Sequence, residues 1–117
     1  MGKAISKKVV KITSEDRKIM HVAAVFAANF TNHMLTLSKE IMFNHGMSFD
    51  LLKPLIAETL NKSLSIGSEN SQTGPARRGD LEILDRHMDL LKEDADVAEI
   101  YRVISQHIVS SYSDPET

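Results

Sequence analysis

An all-α bundle of about four helices, one of them unusually long and central, is the fold class this sequence predicts. Three observations predict it. Apolar residues recur at helical spacing in four stretches. Turn residues, chiefly Gly46, Gly74-Pro75 and Gly79, fall between those stretches. Only one β-branched run occurs, Val9-Val10-Lys11-Ile12, and it stands alone.

Val9–Ile12 reads as a short N-terminal strand or an extended lead-in. A single strand cannot satisfy its own backbone, so it would pair with a sheet outside this chain. Thr13 or Ser14 then caps a long helix whose first turn carries Glu15 and Asp16, where negative charge suits the helix dipole. That helix runs to about Asn44 and stops at His45-Gly46. Ser48 caps a second helix, roughly Phe49 to Leu64, with Leu51, Leu52, Leu55, Ile56 and Leu60 as apolar positions. Pro54 inside it predicts a kink or an irregular first turn. Ile66 to Gly79 is a loop. Asp80 starts a third helix to Leu91 or Lys92, with Leu81, Leu84, Met88 and Leu91 at helical spacing. Asp94 caps a fourth, with Val97, Ile100, Tyr101, Ile104 and Ile108 as its apolar face. Ser110 to Thr117 reads as a fraying tail. The whole is one domain over residues 1–117, with 1–12 as lead-in and 13–112 as helical core.

Bulk properties narrow the function. With 14 basic and 16 acidic residues and a net charge of −2, the chain lacks the clustered basic surface of a nucleic-acid binder. It has no cysteine, which excludes disulfides and thiolate metal sites and fits a reducing, cytoplasmic setting. From Ile19 to Ser38 there is no charged side chain, a span long enough to cross a bilayer. It nevertheless holds His21, Asn29, Thr31, Asn32, His33 and Thr36, and burying so many amides and imidazoles in lipid is expensive. The stretch therefore reads as a helix buried in protein, not as a membrane span.

Two features carry candidate chemistry. At 100° per residue, His21, Asn32, Val25, Thr36, Asn29, Glu40 and His33 fall in that order across about a third of the long helix. Ala23, Ala27, Phe26, Phe30, Met34, Leu37 and Ile41 take the opposite arc. The polar stripe is mostly uncharged, unlike a solvated face of Lys and Glu. It is either internally satisfied or one wall of a ligand cleft. The second feature is Gln72-Thr73-Gly74-Pro75-Ala76-Arg77-Arg78-Gly79-Asp80, a polar, doubly basic turn between helical segments. Guanidinium forks bind carboxylate or phosphate bidentately, so Arg77 and Arg78 are candidates for a small anionic substrate. Equally, one of them pairs with Asp80 or Glu82, and the turn is a connector. No metal-binding set is expected, because His21 and His33 lie twelve residues apart with no acid or imidazole four residues from either. His45, His87 and His107 read as surface or capping imidazoles.

These residues bear a resemblance. His21-Val22-Ala23-Ala24-Val25-Phe26-Ala27-Ala28-Asn29-Phe30, Leu52-Lys53-Pro54-Leu55-Ile56 with Glu58-Thr59, the Gln72–Asp80 turn, and Arg86-His87 closely resemble the C-terminal helical domain (domain of unknown function 2520) of Rossmann-like predicted NADP-dependent oxidoreductases. The likeness covers nearly everything from Ile12 to Ile108. Met20 departs from the Tyr that often precedes the His in that family. More distantly the layout resembles the helical halves of 6-phosphogluconate dehydrogenase, pyrroline-carboxylate reductase and deazaflavin-dependent NADP oxidoreductase.

The resemblance implies a substrate-binding and dimerisation domain. Its NADP would be carried by a separate N-terminal Rossmann domain, since this chain has no G-x-G-x-x-G and no βαβ pattern. The domain alone binds no cofactor and does not catalyse. On this reading His21 and Asn29 face the reacting group. Asn32, His33, Gln72, Thr73, Arg77 and Arg78 contact substrate, and the chain forms a homodimer. Hydroxyacid members of the wider group use a Lys with an Asn four residues later. Asn29 matches that Asn but Val25 stands at the Lys position, so His21 is the candidate proton donor in its place. The alternatives are a non-catalytic regulatory or scaffold module of the same fold, and a free-standing helical dimer that binds a protein partner.

Overall fold

The computed structural model describes residues 11–113, and among them every regular element is helical. The expected Val9–Ile12 strand falls largely outside the described residues. Lys11 and Ile12 lead into the first helix without regular structure. The chain divides into two units, Met1–Phe49 and Asp50–Thr117.

The first unit is built on one rod: α1 (Ser14–Ala24), a π-helical stretch (Val25–Phe30) and α2 (Thr31–Asn44). All the residues at its junctions keep right-handed helical angles, so the three pieces run on without a break. Thr13 caps it through a full capping box. Its Oγ1 accepts from the Asp16 amide at 3.0 Å, and the Asp16 carboxylate accepts from the Thr13 amide at 3.1 Å. At the far end the Met47 amide donates to the Met42 carbonyl and the Gly46 amide to that of Phe43, a Schellman stop. At 1.5 Å per residue the rod is roughly 45 Å long.

A π turn holds one residue more than an α turn, so it rotates everything after it by about one residue's step, roughly 100°. The uniform wheel expected for the polar stripe therefore breaks at Val25–Phe30. Beyond the break the half-covered residues are Thr31, Met34, Leu35, Leu37, Ser38 and Met42. Within it only Val25 is partly covered, and the described residues before it are all exposed. The expectation of a rod buried in protein is not met within this chain, where none of its residues is buried.

A 3₁₀ turn, Phe49–Leu52, begins on the last residue of the first unit and runs into α3 (Lys53–Ile66) of the second. Pro54 lies in the first α turn, where its missing N–H costs nothing, so the irregular first turn replaces a kink. The stretch expected as loop holds two single turns of helix, α4 (Ser68–Ser71) and α5 (Pro75–Arg78). Next come α6 (Leu81–Leu90), capped by Asp80 Oδ1 on the Ile83 amide at 3.3 Å, and α7 (Ala95–Tyr112), capped by Asp94 Oδ1 on the Val97 amide at 3.3 Å. α7 continues through Ser110 to Tyr112, so the tail begins three residues later than expected.

Packing joins α3 to α4, and α5 to both α6 and α7. The half-covered side of α6 carries Ile83, Leu84, His87 and Met88. That of α7 carries Val97, Ile100, Tyr101, Ser105, Ile108 and Tyr112. Leu81 and Ile104, expected on the inner faces, are exposed. Among the described residues only Ala76, in α5, is buried. Large apolar side chains stay open in both units, with Phe26 at 64%, Phe43 at 80% and Leu64 at 86% exposure.

Candidate functional site

The turn Gly74–Asp80 is shaped by its glycines. Gly74 has φ 103° and ψ 173°, a region closed to residues with a Cβ, and it delivers the chain into Pro75 at the start of α5. Gly79, at φ 70°, ends α5 in the left-handed conformation. The Asp80 amide donates to the Pro75 carbonyl at 2.8 Å and the Gly79 amide to that of Ala76 at 3.1 Å, the paired bonds of a Schellman motif. Asp80 thus closes α5 with its amide and opens α6 with its carboxylate. Ala76 points inward and the two arginines outward.

The arginines part company. The Arg77 guanidinium lies over the Tyr112 ring, 4.4 Å from its centroid. Arg78 Nη2 lies 3.9 Å from Asp80 Oδ2, at the outer limit of an ion pair, with the side chain 59% exposed. Of the pairings expected from sequence, Arg78 takes Asp80, whereas Glu82 takes Arg86 at 3.2 Å.

Gln72 and Thr73 line a cleft of about 390 Å³ with Leu55, Glu58, Thr59, Lys62 and Asn70. Its size suits a small polar molecule. Neither arginine lines it, so within this unit the turn presents two distinct surfaces. Lys62 and Glu58 pair across its rim at 3.4 Å.

On the rod, His21, Asn29, Asn32 and His33 are exposed, and their side chains make no hydrogen bond among the described residues. The π stretch separates His21 from Asn32 and His33, and Asn29 sits inside it. These four belong to the first unit, the Gln72–Arg78 candidates to the second. The described residues contain no cluster of three or more groups able to hold a metal ion, and no helix long and apolar enough to cross a membrane.

Sequence reasoning missed one aromatic anchor, Tyr112, and the partner of another, Tyr101, which it places on the inner face of its helix. Tyr112 holds Arg77 and also donates its hydroxyl to the Glu69 carbonyl at 3.3 Å. Tyr101 reaches His87, which is half-covered and joined across two helices, not a surface imidazole. The available signal was spacing: 97, 101, 105, 108 and 112 continue one helical face into the supposed tail. His45 is the capping imidazole expected, donating to the Ile41 carbonyl at 3.0 Å.

The comparisons agree with this architecture. The chain is similar to a solved protein from Bacteroides fragilis, BF3122, provisionally named an NADP oxidoreductase. The two share 38% identity with a TM-score of 0.82, over 88% of this chain. The match spans 40% of that protein's length. No curated protein matches. The family model for the domain of unknown function DUF2520 matches residues 1–108, and the chain belongs to that family.

Proposed function

We propose that this chain is the substrate-binding and dimerisation domain of an NADP-dependent oxidoreductase whose nucleotide-binding half lies outside it. The observation that carries the reading is the close likeness to a 40% portion of a longer protein named as an NADP oxidoreductase. The chain's own residues do not fit the dinucleotide. Its glycines, at 46, 67, 74 and 79 in the described part, end or join helices, and none opens a phosphate-binding turn after a strand. NADP is therefore assigned to the half that lies outside this chain.

This domain would contribute groups that hold and orient a substrate. The exposed imidazole of His21 is the proposed proton donor and the Asn29 amide its hydrogen-bonding neighbour at the reacting group, with Asn32 and His33 beyond them. Gln72 and Thr73, already lining a cleft, would take the polar body of the substrate. The arginine turn would take an anionic end.

The proposal includes a cytoplasmic homodimer. Exposed Ile19, Met20, Val22, Phe26 and Phe30 along the rod support association, since a large apolar surface left open calls for a partner. The lack of cysteine supports a reducing compartment. The test is a thermal-shift and turnover screen of the full parent protein with NADPH and small carbonyl or imine compounds. Stabilisation by NADPH with turnover of at least one compound is expected, and failure of NADPH to bind the intact parent removes the reading.

A further inference from the structure

Two adjacent arginines on one helical turn point about 100° apart and cannot serve one ligand equally. The structure shows how they divide. Arg77 places its guanidinium over Tyr112, a contact in which the ring's negative face attracts the cation. The same tyrosine donates its hydroxyl to the Glu69 carbonyl in α4, on the other side of Gln72–Gly74. One side chain at the end of α7 therefore grips the turn at both ends. Between those grips lies Ala76, the one buried side chain among the described residues. Among the described residues Arg78, by contrast, has only a long pairing to Asp80, whose other oxygen is committed to the α6 cap. An external anion can replace so loose a partner at little cost.

We propose that Tyr112 is the positioning residue of this turn. It locks Arg77 as a strut and thereby presents Arg78 as the guanidinium that receives an anionic group. The second part rests on the anion-binding reading of the turn given above; the strut does not.

The test uses the full chain, isotope-labelled for NMR, with inorganic phosphate as the probe. The Arg77 side-chain protons should be ring-shifted upfield, the shift persisting in Tyr112→Phe, which keeps the aromatic face, and vanishing in Tyr112→Leu. Phosphate should perturb the Arg78 Nε–H signal. Its affinity should stay within about twofold in Tyr112→Phe, fall about tenfold in Tyr112→Leu, and disappear in Arg78→Ala. If Tyr112→Leu does not fold, Arg77→Gln removes the same contact from the other side and should weaken phosphate to a similar degree. An Arg77 without a ring shift overturns the strut. Unchanged phosphate affinity in Tyr112→Leu or Arg77→Gln overturns the positioning role. Equal loss in Arg77→Gln and Arg78→Ala overturns the division of labour. A ring-shifted Arg77 in a chain that ignores phosphate upholds the strut and counts against the anion-binding reading.

Discussion

His87 Nδ1 lies 2.6 Å from the hydroxyl of Tyr101, and the two rings meet edge to face with centroids 5.7 Å apart. The pair ties α6 to α7 where most neighbouring contacts are apolar and only half-covered. A part-buried hydrogen bond of this kind is worth about 0.5–1.5 kcal/mol net, and an edge-to-face ring pair about as much again. Tyr101→Phe should therefore cost about 1 kcal/mol in urea unfolding and His87→Ala about 2 kcal/mol. Equal stability of either variant with the parent would show that the two helices are held by other contacts.

Burial pushes the Tyr101 hydroxyl above its ordinary value of 10.0, with a smaller opposing pull from Ser105. A raised folded-state value means that the neutral phenol is favoured by folding. Its contribution is fully present below pH 10 and is lost as pH climbs through the raised value. The unsubstituted chain should therefore lose stability faster than Tyr101→Phe on going from about pH 9 to 11, as read by thermal melts across that range.

Gly74 occupies a backbone region that only glycine enters freely, just ahead of a proline that leaves the chain no alternative path. Gly74→Ala should cost about 1–3 kcal/mol through strain alone, since open space surrounds the position where a Cβ would stand. Chemical denaturation checks this, and a cost below about 0.5 kcal/mol would mean that the turn relaxes without loss.

The capping box at Thr13 and Asp16 holds the rod's first turn. Thr13→Ala should cost about 1 kcal/mol and speed hydrogen exchange at the amides of residues 14–17, with no change beyond Phe30.

The π stretch makes the rod sensitive to length. Deleting Ala27 should restore an unbroken α-helix and turn α2 by roughly 100° relative to α1. Far-UV circular dichroism should stay the same. If the rod's open apolar side carries the proposed dimer, light scattering at tens of micromolar should show the deletion shifting the chain toward monomer. An unaltered oligomer would mean that the two halves of the rod do not act as one surface.

The helices were legible because their signals are local. Thr13, Asp80 and Asp94 each announce a start through a carboxylate or hydroxyl that caps an amide three residues on. The stop at Gly46 and the sharp turn at Gly79 are equally local, since residues at left-handed angles are nearly always glycine. The π stretch was not legible. Val25–Phe30 has a composition that any α-helix tolerates, and one additional residue per turn leaves no mark on a periodic pattern six residues long.

Likewise the basic turn was visible as a turn but not as the best-packed part of its unit. What sequence alone determined was the all-helical class, the starts at Thr13, Asp80 and Asp94, the stop at Gly46, and which family's pattern the chain follows. All of that depends on backbone preferences within four or five residues. Only the tertiary structure decided that Arg77 lies on Tyr112 while Arg78 stays open, and that His87 meets Tyr101. Partners 35 and 14 positions apart in the chain come together through the packing of α5 and α6 on α7, and no local preference specifies which side chain waits on the other side.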